Sequence, residues 1–141
     1  MTEAVKPTEA AVKTEAVKPV KKRVRKSFEH GQVHIKANYN NTIVTLTDPE
    51  GHVLGWSSPG VNGYKGARQA TPYAGQVSAE AVAAKALAFG MKSVDVYVKG
   101  MGPGRDQTVR GLLNGGIDVV SISDRTRVPH GGCRSQRTRK V

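Results

Sequence analysis

From Gln32 the chain alternates, with Val33, Ile35 and Ala37 apolar and His34, Lys36 and Asn38 polar between them. A period of two puts the two sets on opposite sides of a strand, so residues 32–38 are predicted to form a strand with one buried face. Thr42 to Thr47 is rich in β-branched residues, Asp48-Pro-Glu-Gly51 has turn composition, and Val53 to Ser58 returns to strand character. Together they predict a three-stranded antiparallel meander. Thr71 reads as an N-cap with Pro72 at the first helical position, and Gly90 as the helix stop. On that helix Tyr73, Val77, Ala81, Ala84 and Ala88 share a stripe expected to face the sheet, with Val82 and Phe89 roughly opposite and open to a partner. Ser93 to Lys99 is a fourth strand, alternating Val94, Val96 and Val98 with Asp95 and Tyr97. A second helix begins near Arg105, with Val109, Leu112 and Leu113 as its buried face and Asn114-Gly-Gly116 as its stop. Ile117 to Ser123 is the last strand. The order β-β-β-α-β-α-β predicts an α/β fold, a mixed five-stranded sheet in three layers with helices on its faces and crossovers joining the last strands.

Two glycine-rich stretches interrupt this pattern. Pro59-Gly-Val-Asn-Gly-Tyr-Lys-Gly-Ala-Arg68 is too polar for a core and too long for a tight hairpin, which marks it as a loop with a task. Lys99-Gly-Met-Gly-Pro-Gly-Arg-Asp-Gln-Thr108 joins a strand to a helix. At the start of the chain Thr2-Glu-Ala-Val-Lys-Pro7 recurs as Thr14-Glu-Ala-Val-Lys-Pro19, with a near copy between them. Such a low-complexity segment buries too little apolar surface to offset the entropy of ordering it. The expected organisation is a disordered extension over 1–30, one α/β domain over 31–124 and an extended basic tail over 125–141.

Charge sharpens that division. Of a net +11, residues 1–30 supply +4 and residues 125–141 supply +6, while 31–124 is nearly neutral with eight bases and seven acids. A neutral body with basic arms suits a polyanionic partner, because each Lys or Arg that meets a phosphate releases a condensed counterion. In the first arm the concentrated charge is Lys21-Lys22-Arg23-Val24-Arg25-Lys26. No apolar run approaches the roughly 20 residues of a membrane helix, and the first residues lack signal-peptide and transit-peptide character. The expected location is the cytoplasm. The single cysteine allows no intramolecular disulfide.

The chemistry that these residues could carry is mostly phosphate recognition. A glycine-rich loop entering a helix brings backbone N–H groups and a partial positive charge to an anion, although the Gly-Lys-Ser/Thr ending of a P-loop is missing after Lys99. Arg105 in the first turn opposes the helix dipole, a cost that an external phosphate would relieve. The bland alternative is a tight turn whose glycines serve geometry alone. In the tail, arginine's planar fork fits phosphate and stacks on bases. Zinc at His130 and Cys133 fails on ligand count, and Cys133 lacks an evident base to activate it. Asp48, Asp95, Asp118 and Asp124 prompt comparison with two-metal nucleases, but strand 32–38 carries no acid. Glu80 is expected to pair with a nearby base, and Trp56 fits either the core or a stacking contact.

Four ordered blocks carry a resemblance: Asn40-Asn-Thr-Ile-Val-Thr-Leu-Thr-Asp48, Ala70-Thr-Pro-Tyr-Ala-Gly-Gln-Val-Ser-Ala-Glu80, Val98-Lys-Gly-Met-Gly-Pro-Gly-Arg-Asp106 and Pro129-His-Gly-Gly-Cys-Arg134. From about Val33 onward the chain resembles the small-subunit ribosomal protein eleven family. Gly131 stands where the family often has asparagine, and Met101 where proline is common. The resemblance implies a ribonuclease-H-like topology without that fold's active site and a non-enzymatic role on the platform of the small ribosomal subunit. It also implies contact with small-subunit rRNA, with ribosomal proteins seven and eighteen, and with messenger RNA and initiation factor three at the Shine–Dalgarno cleft. No cofactor, metal or small-molecule substrate is implied. The residues expected to meet rRNA are Lys21, Lys22, Arg23, Arg25 and Lys26 in the first arm, and Lys65, Arg68, Lys99, Arg105 and Arg110 in the body. In the tail they are Arg125, Arg127, Arg134, Arg137, Arg139 and Lys140.

Overall fold

The computed structural model describes residues 27–138. The terminal repeat and the predicted contacts Lys21, Lys22, Arg23, Arg25, Lys26, Arg139 and Lys140 lie outside the described residues. Five strands form one sheet: β1 (His30–Ala37), β2 (Thr42–Thr47), β3 (Val53–Ser57), β4 (Ser93–Lys99) and β5 (Asp118–Asp124). Two helices, α1 (Pro72–Ala88) and α2 (Arg105–Asn114), join the last three strands, and a short 3-10 helix, Gly66–Ala70, precedes α1. The sheet order is β3-β2-β1-β4-β5. β1 pairs antiparallel with β2 and parallel with β4, β2 pairs antiparallel with β3, and β4 pairs parallel with β5. The predicted meander and both crossovers are present, as is the mixed five-stranded α/β architecture.

The alternation read from the sequence decides which side of the sheet is buried. Val33, Ile35, Val44, Leu46, Val94, Val96 and Val98 are all at most 2% exposed and cluster with Ala79, Val82, Ala83 and Ala86 of α1 and Leu112 of α2. The alternate residues His34, Thr45 and Tyr97 are only partly covered, and Lys36 and Lys99 are exposed. Both helices lie on the Val33 side and pack on each other. The third layer expected from the sequence is therefore absent among the described residues, and the sheet has one covered and one open face.

Small residues set how the helices meet. A Cβ added at Gly111 would lie 2.7 Å from the Gln76 carbonyl oxygen and 2.9 Å from the Ala79 Cβ, so α2 approaches α1 to a distance that only glycine permits there. This contact overturns the predicted helix faces. On α1 the buried residues are Ala74, Gly75, Ser78, Ala79, Val82, Ala83 and Ala86, while Tyr73 is 63% exposed and Ala84 and Ala88 face solvent. An alanine-rich helix is apolar almost all round, so its pattern does not choose a side; the ability to approach closely does. Val82, expected to await a partner, is fully buried in the core. On α2 the buried side is Thr108, Gly111 and Leu112, and Leu113 is 53% exposed.

The ends of the helices follow local chemistry. Thr71 Oγ1 accepts the Ala74 N–H at 3.3 Å, as an N-cap should. Gly90 adopts a φ of 82° just past α1, the left-handed turn that glycine accommodates.

Candidate nucleic-acid interface

The loop from Lys99 to Arg105 is held against the end of β1. A Cβ at Gly100 or Gly102 would collide with the carbonyl oxygens of Ala37 and Asn38, and the Gly102 N–H donates to the Ala37 carbonyl at 3.1 Å. Gly104 packs in the same way against Thr42. These glycines thus have a packing reason of their own. Arg105 turns inward: Nη1 donates to the Gly100 carbonyl at 3.1 Å and Nη2 to Asp124 Oδ2 at 2.6 Å. The anion that offsets the unfavourable dipole is therefore Asp124 of this chain, which corrects the argument that an external phosphate was needed. Asp124 is fixed in turn by the Thr126 hydroxyl at 2.6 Å and the Thr126 N–H at 2.9 Å. With Thr126 and Arg105 donating to it, its carboxyl is lowered to a pKa of about 2.

That carboxylate also governs where the tail starts. Thr126 Oγ1 accepts the Gly100 N–H at 3.1 Å, and the Arg125 N–H donates to the Val98 carbonyl at 2.8 Å, so the chain stays beside β4 for two residues after β5. The Arg125 guanidinium lies 4.5 Å from the centre of the Tyr97 ring, within the range of a cation–π contact. Beyond it residues 127–138 are exposed and without regular structure, which leaves Arg127, Arg134 and Arg137 facing solvent.

A second basic region flanks α1. Turns at Ser58 to Tyr64 and the 3-10 helix fold the predicted loop, and Asn62 Nδ2 anchors it by donating to Ser57 Oγ at 3.2 Å and to Ser78 Oγ at 3.1 Å. Asn62, Gly63, Tyr64, Lys65 and Arg68 line an open depression of about 340 Å³. Arg110 is exposed on α2 and borders a smaller, more apolar hollow with Val109 and Ile122. The predicted body contacts thus form separate groups: Lys65 with Arg68, Arg110 with Arg105 at the hollow beside α2, and Lys99 on the strand adjoining the tail.

The carboxylates that raised a nuclease reading are engaged in structural bonds. Asp95 accepts from Ser121 Oγ at 2.7 Å and pairs with His30 Nε2 at 2.9 Å, and these two bonds lower its pKa. Asp48 Oδ1 accepts the His52 N–H at 2.8 Å inside the β2–β3 turn. Asp48, Glu50 and His52 bring possible ligand atoms within 4.8 Å of one another there, in the β2–β3 turn and outside both glycine-rich loops. Glu80 finds no base: its Oε1 accepts from Gln76 Nε2 at 2.9 Å, and Gln107 Nε2 donates to Gln76 Oε1 at 2.9 Å, linking α1 to α2. Cys133 is an exposed free thiol.

Trp56 is 52% exposed, which removes it from the core. His34, Lys36 and Tyr97, none of them expected at the interface from the sequence, are brought together on the open face by the parallel pairing of β1 with β4. Their polar positions in two alternating strands were the available signal, but adjacency required knowing that β4 lies beside β1. No helix among the described residues is long and apolar enough to cross a membrane.

Comparison with known proteins identifies the family. The family model described as Ribosomal protein S11 matches residues 31–140. Small ribosomal subunit protein uS11 of Thermus thermophilus is 54% identical over 122 residues, covering 86% of this chain and 95% of that protein, with the same values in two strains. The uS11 protein of Leptothrix cholodnii is 48% identical over 126 residues, covering 89% of this chain and 94% of that protein. A match that runs from the second residue of β1 through the strands, both helices and the exposed arginine tail makes this chain a member of the ribosomal protein S11 family.

Proposed function

We propose that this chain is a non-enzymatic constituent of the small ribosomal subunit that binds its rRNA on the platform and helps form the messenger's Shine–Dalgarno cleft. The observation that carries the reading is the tail: Arg127, Arg134 and Arg137 leave a pinned anchor at Asp124 and Thr126 and face solvent. An arginine-bearing segment of this kind can thread between RNA helices and order on contact. Lys65 with Arg68, Lys99 and Arg110 supply further phosphate contacts on the body, and Lys21 to Lys26, Arg139 and Lys140 extend the same chemistry at the ends. Ribosomal proteins seven and eighteen, messenger RNA and initiation factor three are the neighbours that family membership suggests. On this reading the chain acts in the cytoplasm, within the ribosome.

The absence of an acid from β1, together with the bonds that occupy Asp95 and Asp124, favours a structural role over hydrolysis. Sedimentation of the cellular protein tests the reading, with nearly all of it expected to travel with small subunits. A free pool as large as the bound one would contradict it, and metal-dependent cleavage of an RNA–DNA hybrid by purified protein would revive the nuclease alternative.

A further inference from the structure

The open face of the sheet carries a row of side chains across all five strands. The register sets Trp56 of β3 beside Thr45 of β2, Thr45 beside His34 of β1, His34 beside Tyr97 of β4, and Tyr97 beside Ser123 of β5. His34 and Tyr97 stack with ring centres 5.2 Å apart and planes 17° from parallel, and Arg125 lies on Tyr97. The stack ends at His34, because the next position holds only Thr45. Trp56 stands one strand further on.

Neighbouring strands are about 4.8 Å apart, so the backbones carrying His34 and Trp56 are separated by about 10 Å. An offset ring stack takes about 4.5–7 Å per step, so two steps fill that interval with one planar ring between two aromatic ones. The gap over Thr45 therefore has the width for one base. Burial, with the positive charges of Lys99 and Arg125, holds the His34 pKa below its ordinary value, so the ring is neutral near pH 7 and offers an uncharged aromatic face.

The charge beside this gap has the sign of a nucleic-acid site. Lys36 and Lys99 are register partners two residues along from His34 and Tyr97, and both are exposed. Like charges placed directly opposite each other are unfavourable, and neither lysine pairs with a carboxylate among the described residues. An anion between them would relieve the repulsion. Asp95, one row in the other direction, is already held by Ser121 and His30. Aromatic rings next to unpaired cations make a platform for single-stranded RNA, in which stacking and phosphate contacts act together.

We infer that the open sheet face binds a single-stranded RNA segment, one unpaired base entering between His34 and Trp56 over Thr45 and an adjoining phosphate lying between Lys36 and Lys99. This rests on the RNA-binding reading above and assigns it a second surface, distinct from the arginine tail.

Trp56 is the only tryptophan in the chain, so indole emission reports on the surroundings of this one ring. Titrating the full chain with an oligoadenylate strand should quench most of that emission, while a blunt RNA duplex, its bases already paired and stacked, should leave it unchanged. His34→Ala should weaken strand binding about tenfold, a stacking contact's worth, and keep the wild-type circular dichroism spectrum. Trp56→Leu, followed by anisotropy of a labelled strand, should lose affinity by a similar factor. Saturable binding with unchanged emission and wild-type affinity in both variants would overturn the inference and leave RNA binding through the tail intact. Quenching by the duplex as strong as by the strand would also overturn it. Failure of the full chain to bind either the strand or small-subunit rRNA would remove the RNA-binding reading as well.

Discussion

The covered and open faces of the sheet are made from the same strands, one residue out of step. On one side Val33, Ile35, Val96 and Val98 are at most 2% exposed, and on the other His34 and Tyr97 stack in partial contact with solvent beside two exposed lysines. Because successive side chains point to opposite faces, a change on one side enters the packing of the other only through the backbone. Stability and recognition can then be separated at the spacing of a single residue. The comparison also distinguishes two kinds of arginine. Arg105 is countered by Asp124 within the fold, whereas Arg127 has its charge available to a partner.

The largest effect should come from the covered face. Ile35→Ala removes a core side chain and should cost about 2–5 kcal/mol in urea denaturation, whereas His34→Ala next to it should cost less than about 1 kcal/mol. Equal losses would show that the faces are not independent. Gly111→Ala should follow, at about 1–3 kcal/mol, because the added methyl meets the Gln76 carbonyl at 2.7 Å. Native-state hydrogen exchange should then show the helices opening before β1 and β4; uniform loss of protection would mean that the helix contact and the sheet form one unit.

The two arginines can be compared through salt. Arg127→Ala should lower the slope of log affinity for rRNA against log salt by about one, and Arg105→Ala should change it less. A larger change at Arg105 would mean that RNA displaces Asp124 from the ion pair. The smallest effect concerns Asp124, whose carboxyl titrates at about 2 in the folded chain against about 3.9 for an ordinary aspartate. Since the folded value is depressed, its contribution is fully present above about pH 4 and is lost as pH falls through about 2. Asp124→Asn should flatten that acid limb of the stability curve, and identical acid limbs in the two proteins would show that the tie to Arg105 and Thr126 adds nothing.

Much of the fold was legible because strands and caps are local. The alternation at Val33, Ile35 and Ala37, the Thr71-Pro72 start and the glycine stops each place an element within a residue or two of its observed bounds. The helix faces were not legible. α1 is apolar on nearly every side, and Gly75, Ala79 and Ala83 face inward because α2 brings Gly111 and its own small residues close. The interface divides in the same way. Basic residues of the tail stand out by charge alone, but that Arg105 meets Asp124, nineteen positions away, depends on β5 returning beside the glycine loop.

By itself the sequence determined the order and type of the elements, the location of positive charge at the ends, and the family that the chain resembles, since each is read from short stretches of residues adjacent in the chain. Only the tertiary structure decided that both helices share one side of the sheet, that Trp56 is outside the core, and that His34, Tyr97 and Arg125 form one stack. The physical reason is that those contacts join β1, β4 and the start of the tail across more than sixty residues between His34 and Tyr97, and no local periodicity records which strand will become another's neighbour.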